Sequence, residues 1–153
     1  MNNSDKMNQY DKLIEELMEK PYSLIDIYPI TISKEKRDAY FEVERYFDQS
    51  LECQRFSDKI ARIILKALCY LDMEVCVNNR WLKEIKVTEL AMYIQSVLIA
   101  KSGYINLLLT KENALIHISS GDLYVTVYNP NERVEQIFQM LVQSEGLFWR
   151  IEV

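Results

Sequence analysis

Two segments near the C-terminus, 114–118 and 123–129, alternate apolar and polar residues on either side of Ser119-Ser120-Gly121-Asp122. A period of two sends successive side chains to opposite faces of a strand, and a Gly-Asp pair between two such runs is turn chemistry, so this part of the chain fits a β-hairpin. Asn129 is placed to cap a following helix, with Pro130 at its first position and Glu132 as a capping-box acid. That helix is expected to end near Ser144, with Gly146 beyond it and Gln136, Gln139 and Gln143 on its outer face. Alternation returns over 147–153 as a final strand. Strand, helix and strand in one sheet call for a right-handed crossover between parallel strands.

With the hairpin turn at Ser120-Gly121 or over 119–122, His117 faces Tyr124 and Leu115 faces Thr126. One face then carries Ile116, Ile118, Leu123, Val125 and Val127, joined by Leu147, Trp149 and Ile151 of the final strand. It is the core face. The other carries His117, Ser119, Tyr124, Thr126 and Tyr128, joined by Phe148, Arg150 and Glu152.

The rest of the chain reads mostly as helix. Over 6–20, Met7, Tyr10, Leu13, Ile14, Leu17 and Met18 recur at three- and four-residue spacing, and Pro21 stops the pattern. The stretch 24–32 looks extended, and Pro29 argues for an edge strand or ordered loop. Ser33 begins a helix to about Gln49 with Tyr40, Val43 and Phe47 on one stripe and Glu44 close to it. The broad apolar face of 51–71, formed by Phe56, Ile60, Ile63, Ile64, Ala67 and Leu71, marks a central helix. Alternation over 73–77 and a turn at Asn78-Asn79 suggest a short hairpin. A helix over 88–102 ends at Gly103 as its left-handed residue, and 104–110 fits strand or helix. The fold class expected is α+β: N-terminal helices packed on a small mixed β-sheet, with a C-terminal β-hairpin followed by helix and strand.

A chain of 153 residues with three glycines, three prolines and no linker-like stretch is expected to form one domain, 1–153. Its formal charge of −5 opposes the phosphate backbone, so nucleic acid is not an expected partner. No apolar run is long enough to suggest a membrane span, and the polar N-terminus lacks the pattern of a secretory signal. A cytoplasmic location is expected. Cys53, Cys69 and Cys76 form an odd set without metal-ligand spacing, which suits free thiols, with Cys69 and Cys76 serving as small hydrophobes.

The segments 40–47, 69–75, 123–130 and 144–149 resemble those of a group of small uncharacterised bacterial proteins. The resemblance implies no activity, cofactor or partner.

Chemistry has few places to reside. One histidine cannot build a multi-histidine zinc or two-histidine iron site, and there is no Gly-rich phosphate loop. No cofactor is expected. Ser119 and His117 as nucleophile and base lack a visible third group. The candidate binding set is His117, Tyr124, Thr126, Tyr128 and Arg150, on the polar-aromatic sheet face. The basic stripe Lys59, Arg62 and Lys66 is expected to meet Glu42, Glu44 or solvent rather than phosphate. On the 88–102 helix, Met92 and Ile99 oppose the main stripe of Leu90, Ile94, Val97 and Leu98, which means either burial, the favoured reading, or an oligomer interface. The reading favoured for function is a non-enzymatic protein-binding or regulatory module whose partner is another protein, basic in character. The alternatives are a homo-oligomeric assembly protein and a small-ligand protein or enzyme using His117, Tyr124 and Arg150.

Overall fold

The computed structural model describes residues 2–152. Along the chain run α1 (Asn3–Leu17), β1 (Tyr22–Asp26), a 3-10 turn (Lys34–Lys36), α2 (Arg37–Phe47), α3 (Ser50–Ala67), β2 (Glu74–Val77), β3 (Arg80–Leu82), α4 (Val87–Ala100), β4 (Tyr104–Leu109), β5 (Ala114–Ser119), β6 (Tyr124–Tyr128), α5 (Glu132–Ser144) and β7 (Phe148–Ile151). The strands form one sheet in the order β3-β2-β4-β5-β6-β1-β7, and every neighbouring pair is antiparallel. The architecture is α+β, as the sequence pattern implies. β6 and β7 do run parallel, but β1 lies between them and is antiparallel to both.

The expected edge or loop over 24–32 therefore applies only after Asp26. Tyr22–Asp26 is an inner strand, and Pro29 falls in the loop that follows, where its missing N–H interrupts no ladder.

α3, α4 and α5 supply Phe56, Ile60, Ile64, Ile94, Leu98, Val134 and Phe138 to the main core, against Ile25, Ile105, Leu107, Ile116, Ile118, Val125 and Val127 of the sheet. The apolar face of α3 is buried as its periodicity requires. Trp149 stacks on Phe138 with ring centroids 6.0 Å apart. Ile151, expected in this core, is the last residue of the edge strand β7 and is 62% exposed.

The hairpin pairs Leu115 with Tyr128, Ile116 with Val127 and His117 with Thr126. His117 thus faces Thr126 rather than Tyr124, and the connection is 120–123. A register shift of two leaves every side chain on its expected face, which is why the core assignment survives the change.

Two helix ends also differ. Asn131, not Asn129, caps α5 and accepts from the Val134 N–H at 2.9 Å, whereas Asn129 is left-handed at φ 55° and its amide donates to the Asn113 carbonyl. Lys101, not Gly103, takes the left-handed position after α4. Gly103, at φ 87°, serves the β2–β3 turn instead. Asn78 Oδ1 accepts from the Tyr104 N–H at 2.9 Å, and a Cβ at residue 103 would lie 2.2 Å from that oxygen.

Gly103→Ala combines an unfavourable backbone with this overlap and should cost about 2–3 kcal/mol. Gly121→Ala, at φ 82° with nothing in the way, should cost about 1 kcal/mol. Urea denaturation of the two variants compares them. Equal losses would show that Asn78 does not constrain the approach.

Candidate functional site

On the second face of the sheet lies α1. Ile14 and Leu17 of α1 pack on Leu108 and Leu115, with Tyr10, Leu13, Trp81 and Tyr128 around them. Tyr10 and Trp81 have ring centroids 5.2 Å apart, and the Trp81 indole donates to Asp11 at 2.9 Å. These contacts fix α1 over the Leu108–Leu115 end. Toward the other end, two cavities lie side by side on the same face.

The first, about 430 Å³, is lined by Tyr22, Leu24 and Asp26 of β1, the loop after β1, the start of α2, Tyr124 of β6, and Arg150 and Glu152. Its floor is an ion network. Arg150 contacts Asp26 at 2.9 Å and Glu152 at 2.5 Å, with the Arg150 and Asp26 side chains 14% and 8% exposed. The Ile27 N–H donates to the other Asp26 oxygen at 2.7 Å. Burial pushes the Asp26 carboxyl up, opposed by Arg150. Tyr28, Tyr40 and Phe41 form an aromatic wall, with centroids 5.7 Å apart for Tyr28–Tyr40 and 5.8 Å for Tyr40–Phe41. The Tyr28 hydroxyl is buried and, among the described residues, has no hydrogen-bond partner. Burial and the neighbouring Glu44 push Tyr40 up to about 12, and burial with Asp122 raises Tyr124, so the rings present neutral hydroxyls.

The second cavity, about 410 Å³, is lined by Asp11, Ile14, Glu15 and Met18 of α1 with Cys76, Asn79, Tyr104, Asn106 and His117. Among the described residues, two carboxylates and no Lys or Arg line it. Burial and the Asp11 charge push the Cys76 thiol up to about 11, so it stays protonated and weakly nucleophilic. His117 Nδ1 lies 2.6 Å from Asn106 Oδ1 and burial lowers its pKa. The neutral ring therefore donates from Nδ1 and leaves Nε2 as an acceptor.

The candidate set from the sequence is divided between these places. Tyr124 and Arg150 line the first cavity and His117 the second. Thr126 is buried between them, opposite His117 on one side and Leu24 on the other. Tyr128 is used for packing, with its ring 5.7 Å from that of Tyr22. His117 does not line the same cavity as Tyr124 and Arg150: the register sets Thr126 opposite it, and β1 separates β7 from the hairpin. The sequence pattern marks Tyr40 only as part of a helical stripe and does not mark Asp26, Tyr28 or Phe41. The available signal was Asp26 inside the apolar run Leu24-Ile25-Asp26-Ile27, a carboxylate that needs a partner if the run is buried.

Elsewhere, Met92 is 67% and Ile99 41% exposed, so the favoured burial of these two residues within the chain does not occur. Arg62 pairs with Glu145 at 2.6 Å rather than with Glu42 or Glu44, since α3 packs beside the end of α5. Lys59 and Lys66 add to the field that lowers the Glu145 carboxyl. Cys69 is exposed, while Cys53 and Cys76 are buried, and all three are free thiols. Among the described residues, no helix is long and apolar enough to cross a membrane. Compared with family models, curated proteins and solved structures, the chain matches none.

His117 is the only histidine, so its proton resonances need no further assignment. Its titration midpoint should lie below the ordinary 6.5. The unfolded chain binds this proton more tightly than the folded one, so the His117 contribution to stability is lost as pH falls below the unfolded value toward the folded one. NMR titration checks the midpoint, and a value at or above 6.5 would show that the ring is solvated or paired with an acid.

Proposed function

We propose that this chain is a non-catalytic cytoplasmic protein-binding module that grips a basic segment of another protein across the second face of its sheet. The observation that carries the reading is the adjoining pair of cavities, one walled by aromatic rings and the other bearing Asp11 and Glu15 without a cation. Tyrosine supplies large contact area at low entropic cost with a polar tip, the chemistry of protein interfaces rather than of a buried core. A segment lying across β5 and β6 would place an apolar or aromatic anchor against Tyr28, Tyr40 and Tyr124 and an Arg or Lys side chain near Glu15. The net charge of −5 favours encounter with such a partner. The protonated Cys76 thiol and the neutral His117 act as hydrogen-bonding groups in this reading. The exposure of Met92 and Ile99 favours a second reading, self-association through α4.

Capture from the native cell, repeated with variants and followed by calorimetry on the purified pair, tests the proposal. Tyr124→Ala should weaken the complex by about tenfold or more, as loss of a central aromatic anchor does. Glu15→Lys should weaken it and flatten its salt dependence, and Met92→Ser should leave it unchanged. A partner lost with Met92→Ser but indifferent to Tyr124→Ala would move binding to α4 and overturn the cleft reading.

A further inference from the structure

We infer that the first cavity, between the start of α2 and the sheet, binds a small aromatic acid, with its ring against Tyr28, Tyr40, Phe41 and Tyr124 and its carboxylate on Lys34 and Arg37. α2 carries the first sign of this. Helices in proteins are held mainly by the packing of an amphipathic face, yet no residue of α2 is buried. Phe41 is 49% exposed although its ring lies beside that of Tyr40. The space that denies α2 a packed face is the cavity itself, to which α2 contributes Arg37, Tyr40 and Phe41 and the sheet contributes Leu24, Asp26 and Tyr124. Its volume of about 430 Å³ falls within the range of roughly 300–1,000 Å³ that small-molecule sites occupy.

Charge decides the sign of the occupant. The chain as a whole carries −5, but the lining of this cavity sets Lys34, Arg37 and Arg150 against Asp26 and Glu152, so a cation is in excess. Arg150 is not the group in surplus, since it is already engaged by Asp26, Glu152 and the Ile30 carbonyl. That leaves Lys34 and Arg37, which have no carboxylate partner among the described residues. They stand at the two ends of a 3-10 turn, where side chains three residues apart eclipse, and both reach the cavity. Tyr40 and Tyr124 are held neutral and add no opposing charge. A single carboxylate balances the lining and matches the planar fork of Arg37, and the aromatic wall offers its faces and edges to a ring. The inference concerns this cavity alone and does not depend on a protein partner, although a ligand here and the aromatic anchor of a partner would exclude each other.

Calorimetry and thermal melting of the purified full chain with naphthylacetate test this directly. The wild type should bind one equivalent and melt at a higher temperature in its presence, as any ligand selective for the folded state requires. Naphthylacetamide keeps the ring without the charge and naphthylethylamine reverses the charge, and each should bind about tenfold more weakly or worse. Arg37→Gln should weaken the acid by about tenfold and leave the amide unchanged. Lys36→Gln removes the same charge one residue away, outside the cavity lining, and should alter neither. Phe41→Ala should weaken acid and amide alike with unchanged far-UV circular dichroism, because this side chain is half exposed. If that variant unfolds, Tyr124→Leu removes a ring from the sheet side and should weaken both in the same way. A wild type that does not bind naphthylacetate, an amide or amine that binds as tightly as the acid, or a loss in Lys36→Gln equal to that in Arg37→Gln would overturn the proposal.

Discussion

β1 fills the gap between β6 and β7 and is hydrogen-bonded on both sides, and the second face of the sheet takes its form from that insertion. Without it β7 has no ladder, Arg150 has no Asp26, and the aromatic wall contributed by the loop after β1 and by α2 has nothing to stand against. The core face depends on it too, since Ile25 lies fully buried in the same cluster as Val125 and Val127. One five-residue strand thus ties the first part of the chain to the last.

The polar content of the second face is costly to desolvate, and the fold meets that cost unevenly. Asp26 has both oxygens engaged, one by Arg150 and one by the Ile27 N–H. Such a pair adds little net stability over an apolar replacement, but removing one member leaves a buried charge alone. Tyr28 is treated differently, with its buried hydroxyl unpartnered at the cleft wall. An unsatisfied donor typically costs about 1–3 kcal/mol. The buried Ser57 hydroxyl and the Trp149 indole N–H lack partners among the described residues in the same way, so the feature is not confined to the cleft.

Side-chain parity was legible in the sequence, while pairing was not. Ile116, Ile118, Val125 and Val127 alternate because their face is buried, and that constraint survives any even shift of register. The shift that moved Thr126 opposite His117 depended on how many residues the turn absorbs, and Ser119-Ser120-Gly121-Asp122 accommodates more than one answer. Caps showed a similar ambiguity, since Asn129 and Asn131 both have the chemistry and only the tertiary bond from Asn129 to the Asn113 carbonyl decides between them. The α3 face was legible because a helix that is apolar over so wide an arc has few places to go. Asp26 with Arg150, and Arg62 with Glu145, were not legible because each joins residues far apart in sequence whose periodicity says nothing of their partner.

The position of β1 also dictates the order in which the molecule can be completed. α1 and β1 precede the other described elements, yet both strands that flank β1 follow β5, so this segment has no sheet to join until most of the other elements have been made. Folding must close very long loops before β1 gains a single ladder bond, and contacts of that kind slow the search and prolong the life of unpaired strands. α3 and α4 with β2 to β5 can assemble from nearer neighbours in the meantime. Capture of β1, first by β6 and then by β7, is then the last major event.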